Sequence, residues 1–223
     1  MKIEVFPDDE LIARKAAEMI AADARAAVSS RGRFITAVSG GRTPWLMHVV
    51  QVDERVAPSG DPDRNLTHLS ESLLDRSPLL PDHIPAMPVE APDLNRAAQQ
   101  YAATLQDVAG LPPVFDLVHL GLGADGHTAS LAPGDPVLDV TDADVAVTRP
   151  YQGRRRMTLT FPILNRSRRI LWLVTGREKA GALVRLCGKD PSVPASRVRQ
   201  DRALILADRL AAEQLGTSED RET

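Results

Sequence analysis

His127 stands two residues after Asp125 in Gly121-Leu122-Gly123-Ala124-Asp125-Gly126-His127-Thr128-Ala129-Ser130, a glycine-rich stretch that follows the apolar run Phe115 to Leu120. An imidazole titrates near neutral pH, so it is the side chain best suited to take a proton there, and a nearby carboxylate can orient it. His48, His68, His83 and His119 lack such company and read as structural. Ser39-Gly40-Gly41-Arg42-Thr43-Pro44 closes an earlier apolar run, Phe34 to Val38. Its glycines let backbone amides approach a ligand, its hydroxyls can bond one, and Pro44 suits the first turn of a helix whose N-terminus attracts an anion. The same residues also fit a tight strand-to-helix turn with no ligand. Asp53-Glu54-Arg55 ends another run and places two carboxylates and a guanidinium at one edge, as a site or as a plain salt bridge. Arg156 opens the strand-like Met157 to Thr160, and Lys179 lies at a helix start, where the macrodipole disfavours a cation unless an anion is near.

Several other chemistries fit poorly. G-x-G-x-x-G occurs at Gly121 to Gly126, but Pro133 and Gly134 stop any helix behind it within two turns, against a nicotinamide site. The turn at 39–44 lacks the Gly-Lys-Ser/Thr ending of a nucleotide P-loop. No Gly-x-Ser-x-Gly elbow supports a serine acyl-enzyme, and no histidine and carboxylate spacing argues for a metal, so neither metal nor cofactor is expected. The single cysteine, Cys187, excludes a disulfide framework and fits a reducing compartment.

These residues need a frame that brings them to one edge. Asp8 and Asp9 are placed to cap a long helix that Gly32 ends. Strands are expected at Phe34–Val38, His48–Val52, Phe115–Leu120, Val145–Thr148, Met157–Phe161, Ile170–Val174 and Ala203–Leu206, and further helices at Leu66–Asp75, Leu94–Val108, Glu178–Cys187 and Arg209–Leu215. Apolar strands alternating with helices predict an α/β fold, a three-layer αβα sandwich around a mainly parallel, Rossmann-like sheet, as one domain over 1–223. Ligands of such sheets bind beyond the carboxyl ends of the strands, where the residues above fall. A net charge of -3, an N-terminus bearing two acids and a proline, and the lack of a long apolar run predict a cytoplasmic protein without a nucleic-acid or membrane partner.

One spacing conflicts with this frame. If Phe34–Val38 and His48–Val52 are parallel neighbours, the crossover between them should take a dozen or more residues, and only Ser39 to Met47 are available. The spacing therefore predicts a chain break at Met47–His48, with roughly 15 residues of crossover unaccounted for.

Taken together the motifs resemble the 6-phosphogluconolactonase family, of the glucosamine-6-phosphate deaminase and ribose-5-phosphate isomerase superfamily. Its Ser-Gly-Gly-Ser/Arg-Thr-Pro turn, Asp-Glu-Arg strand end and Gly-x-Gly-x-Asp-Gly-His-Thr-Ala-Ser-x-x-Pro-Gly loop are matched at 39–44, 53–55 and 121–134, and its Arg-x-Thr-Leu-Thr strand and Gly-x-x-Lys-Ala helix start at 156–160 and 176–180. Ala132 stands where that loop often has phenylalanine, and Arg64 precedes Asn65 where the family usually has serine. The resemblance implies hydrolysis of 6-phosphogluconolactone to 6-phosphogluconate in the oxidative pentose phosphate pathway, with a small sugar-phosphate lactone as the ligand. It implies His127 as the base that activates water, Asp125 as its orienter and Arg55 as the group meeting the oxyanion or sugar. Gly40, Gly41, Arg42, Thr43, Arg156 and Lys179 would hold the phosphate. The nearest rival is an amino-sugar-phosphate deaminase or aldose-ketose isomerase, whose loop reads Asp-Gly-His-Ile-Ala-Phe-Asn-Glu-Pro and uses the glutamate before proline in ring opening; Ala132 occupies that place here. A non-catalytic sugar-phosphate sensor is not expected, because the chain begins directly at its first helix.

Overall fold

The apolar runs become strands β1 (Lys2–Phe6), β2 (Phe34–Val38), β3 (Met47–Gln51), β4 (Asp53–Arg55), β5 (Leu117–Gly121), β6 (Val145–Val147), β7 (Arg156–Leu159), β8 (Ile170–Val174) and β9 (Ala203–Asp208) in the computed structural model. The structure describes residues 1–38, 47–76 and 79–216. Six strands form one sheet in the order β1-β9-β8-β5-β2-β3, and every neighbouring pair in it is parallel. The other three make a small antiparallel sheet, β4-β7-β6.

Among the described residues five α-helices accompany them: α1 (Asp9–Arg31), α2 (Asn65–Ser72), α3 (Leu94–Ala109), α4 (Phe161–Arg166) and α5 (Ala180–Cys187). α1 starts where the sequence places it, with the Asp8 carboxylate accepting from the Leu11 amide at 2.9 Å, and it ends at Gly32 in the left-handed conformation, φ 73°. Alternation within the buried strands sorts the core into two layers. Leu204 and Leu206 of β9 join Ile12 and Ala16 of α1 and Leu69 of α2, whereas Ile205 and Ala207 join Ala97 and Leu105 of α3 and Leu183 and Leu186 of α5. This is the expected sandwich with a parallel centre.

The structure also corrects several expectations. Met47 and His48 are consecutive residues of β3, paired in unbroken register with Phe34 and Ile35, so the predicted break is not there. β2 and β3 are parallel neighbours, and residues 39–46 that join them lie outside the described residues. The dozen-residue rule describes crossovers that contain a helix. At about 3.3–3.6 Å per residue the available chain exceeds the ~17 Å length of a five-residue strand.

β1 was not read from the sequence: it is an edge strand paired with β9, and its charged, part-exposed residues conceal the strand pattern. Residues 209–215, expected to be helical, form turns, since so short an isolated segment gains little from helix propagation. Asp208 closes the first of these turns by accepting from the Ala211 amide at 2.7 Å. The strand expected to reach Phe161 stops at Leu159, because Thr160 caps α4 and Pro162 occupies its first turn.

Two features position the site. Parallel pairing puts the carboxyl ends of β2, β5 and β8 on one edge. The small sheet joins there, tied to the residue after β3 by the Leu159 amide donating to the Val52 carbonyl at 2.8 Å.

Candidate active site

The loop after β5 turns tightly, with the Gly126 amide bonding the Gly123 carbonyl at 2.9 Å and the Gly123 amide bonding the His127 carbonyl at 2.8 Å. This folds His127 back over Gly123. A Cβ on Gly123 would collide with the imidazole and stand 2.6 Å from Asp125 Oδ1, so the ring uses space that only glycine leaves. Gly126 is needed for a separate reason, φ 87° with Val193 Cβ 2.6 Å from where its own Cβ would be. Of the dinucleotide-like glycines, Gly123 thus makes room for the histidine and Gly126 for Val193.

His127 Nδ1 lies 2.6 Å from Asp125 Oδ1, and the His127 amide donates to the same oxygen at 3.2 Å. Burial pushes the Asp125 carboxyl up, but the hydrogen bonds from the His127 side chain and backbone and from Tyr151 outweigh it and hold the group below the usual carboxylate range. A charged Asp125 accepts a hydrogen bond best from the tautomer of His127 that carries its proton on Nδ1. Nε2 has no hydrogen-bond partner among the described residues. The His127 side chain is 24% exposed, enough for water and a small molecule to reach it.

The antiparallel β4–β7 pair supplies the charge. Arg55 and Arg156 are directly opposed in its register, a like-charged cross-strand pair that is unfavourable without a counter-anion. The Nε atoms of both guanidinium groups are buried without a hydrogen-bond partner among the described residues. Burial first, and then the Arg55 charge, lower the Arg156 pKa. One carboxylate, Asp53, shares their face. It is fully buried and accepts from Ser130 Oγ at 2.6 Å and Asn65 Nδ2 at 3.2 Å, and burial raises its pKa. Two guanidinium groups against one carboxylate leave surplus positive charge.

Of the Asp53-Glu54-Arg55 triplet, Arg55 shares the face of Arg156, with its Nη1 donating to the Asp63 carbonyl at 2.6 Å. Strand alternation turns Glu54 the other way, where it is wholly buried and accepts from Gln51 Nε2, from the Arg55 amide, and from the Asn65 and Leu66 amides at 2.8 Å each. The last two are first-turn donors of α2, whose N-cap Arg64 offers no side-chain cap, so Glu54 caps that helix from a distance. Arg64, which stands where the family usually has serine, is buried between Glu54 and Glu90 at 3.5 and 3.1 Å.

Lys179 follows β8 on the same carboxyl edge. It is the N-cap of α5, its side chain is 26% exposed, and its nearest acid is Glu178 at 3.8 Å. The turn containing Gly40, Gly41, Arg42 and Thr43 lies outside the described residues. Sequence reasoning missed Tyr151, whose hydroxyl donates to Asp125 Oδ2 at 2.9 Å, because the Tyr151-Gln152-Gly153 turn carries no motif. It also missed Ser130 and Thr158, which fasten the loop after β5 to β4 and β7: the Ser130 hydroxyl bonds Asp53 and its amide bonds Thr158 Oγ1 at 3.2 Å. The Thr-Ala-Ser run was the available signal.

Fold and site together define an α/β protein that gathers an imidazole–carboxylate pair and two opposed arginines at the carboxyl edge of a parallel sheet, the place where such folds bind ligands. Residues 45–206 match the family described as glucosamine-6-phosphate isomerases/6-phosphogluconolactonase, and the chain belongs to that family. It is 34% identical over 236 residues to the 6-phosphogluconolactonase of Synechocystis sp., covering 96% of this chain and 98% of that protein. The alignment is longer than this chain, so the relative carries residues that are absent here. The structure of the Thermotoga maritima 6-phosphogluconolactonase superposes with a TM-score of 0.82 at 25% identity over 93% of this chain and 98% of that one. A monomeric glucosamine-6-phosphate deaminase shares the fold, with a TM-score of 0.80 at 19% identity over 96% of this chain and 100% of that one.

Proposed function

We propose that the protein hydrolyses 6-phospho-D-glucono-1,5-lactone to 6-phospho-D-gluconate, the lactone-opening step of the oxidative pentose phosphate pathway, by base-activated water. Its likeness to 6-phosphogluconolactonases along nearly the whole chain supports this substrate. The observation that carries the mechanism is the Asp125–His127 pair standing with the opposed Arg55 and Arg156, whose two charges face the single carboxylate of Asp53 among the described residues. His127 Nε2 takes a proton from water as the oxygen attacks the lactone carbonyl carbon. The tetrahedral oxyanion is met by Arg55, and Arg156 with Lys179 and the 39–44 turn hold the phosphate. Collapse breaks the bond from the carbonyl carbon to the ring oxygen, which receives the proton back from the imidazolium, so the base is regenerated and no co-reactant is needed.

Deamination or isomerisation needs a further acid–base group for ring opening. Position 132, where the deaminase loop has glutamate, holds a buried alanine. Among the described residues no helix is long and apolar enough to cross a membrane. With its single cysteine, that fits our placement of the protein in the cytoplasm.

His127→Ala tests the reading. After subtraction of spontaneous lactone hydrolysis, kcat should fall by roughly 10²–10⁴-fold with KM little changed. A variant that keeps wild-type kcat would remove His127 from the chemistry.

A further inference from the structure

The turn between β6 and β7 brings to the dyad a residue that no motif marks. The Tyr151 amide donates to the Arg154 carbonyl at 2.9 Å and the Arg154 amide donates back at 3.3 Å, closing a hairpin whose tip holds Gln152 at φ 51° and Gly153 at φ 82°. Left-handed backbone at two successive residues lets the chain reverse there and lays the Tyr151 ring against the site.

Three sides of that ring are engaged. Its hydroxyl donates to Asp125 Oδ2 at 2.9 Å and lies 3.3 Å from His127 Nδ1. Its plane meets the imidazole edge-on, with centroids 5.4 Å apart at 65°. Its face carries the Arg156 guanidinium 4.9 Å from the ring centre, and Arg156 Nη2 donates to Gln152 Oε1 at 3.0 Å. The Asp125 carboxylate is 40% exposed, and Tyr151 is the donor to Oδ2 among the described residues. With Oδ2 tied to the phenol, Oδ1 is left for the imidazole.

We propose that Tyr151 is the positioning residue of the active site: its hydroxyl fixes the Asp125 carboxylate so that His127 carries its proton on Nδ1 and presents a bare Nε2, while its ring sets Arg156 at a fixed distance from that base. The proposal rests on the reading of His127 as the base. A phenol already donating to Asp125 has no second proton for Nδ1, so the 3.3 Å approach is compatible only with Nδ1 as a donor or with simple contact. One aromatic ring thereby couples the group that moves the proton to a group that holds charge on the substrate.

Tyr151→Phe removes the hydroxyl and leaves the ring under Arg156. Its kcat for 6-phosphogluconolactone should fall about 10-fold or more, the worth of one hydrogen bond to a charged group, with KM within about twofold of wild type. Imidazole ¹⁵N spectra should show His127 in one tautomer, protonated at Nδ1, in the wild type and in a mixture in Tyr151→Phe. Tyr151→Ala also withdraws the ring from Arg156, so KM should rise as well. If Tyr151→Phe keeps wild-type kcat and a single His127 tautomer while His127→Ala is inactive, Tyr151 has no positioning role and the base assignment stands. If His127→Ala is itself active, the base assignment fails, and the proposal with it.

Discussion

Gly123 shows how strongly one side chain in the site constrains its neighbours. The imidazole of His127 packs where a Cβ would be, so Gly123→Ala keeps an ordinary backbone and displaces the ring. A misplacement of about 1 Å costs on the order of 100-fold in rate, and kcat of Gly123→Ala should drop by at least about that much with the urea midpoint little changed. Steady-state kinetics and an unfolding curve on the same preparation decide this. A variant with full activity would mean that the imidazole does not work from the place described. Gly126 makes the contrast, because there φ 87° and the Val193 contact make the loop itself, and with it folding, depend on the missing side chain.

Among the elements, the passage from β8 into α5 supplies the cation whose role is easiest to isolate. Lys179 caps a helix that would prefer an anion there, and its one ion-pair partner among the described residues is the exposed Glu178 at 3.8 Å, which supports the proposed phosphate contact. Lys179→Ala should raise KM for the phosphorylated lactone by about 10–100-fold, as expected for one charge-assisted hydrogen bond, and leave unphosphorylated gluconolactone unaffected. Parallel assays of the two substrates check this, and equal losses on both would take Lys179 away from the phosphate. Position on this edge was legible in the sequence because buried parallel strands are written as unbroken apolar runs: β2 and β8 have the expected bounds, and the loops after β5 and β8 follow at once. Direction along the short β4 was not legible. Three consecutive charges looked equivalent, and only the strand's alternation separates Arg55, which faces the site, from Glu54, which caps α2. Nor could Tyr151 be found, since its role comes from a hairpin that joins two sheet strands, and the local sequence carries no trace of the Asp125 it meets. The expected break at Met47–His48 had the opposite cause, a rule about helical crossovers applied to a shorter connection.

For the molecule as a whole, the sheet that aligns the site also sets its tolerance to acid. His119 lies in β5, between β8 and β2 at the middle of the sheet, and is 7% exposed. Burial lowers its pKa to about 4, so it is neutral in the folded protein down to that pH, whereas the unfolded chain protonates it near 6.5. Between those values the unfolded state binds the extra proton, and the sign follows: the stability is fully present above pH 6.5 and is lost as pH falls toward 4. The loss over that window is about 3 kcal/mol from this one group. Urea unfolding at pH 7 and at pH 4.5 should show a decline in the wild type that is markedly smaller in His119→Gln, even if that variant starts from a lower stability. An equal decline in both would assign the acid sensitivity to other groups. Because β5 runs directly into the loop that holds Asp125 and His127, protonation of His119 should weaken the strand that positions this pair, and activity should not outlast the sheet as the medium is acidified.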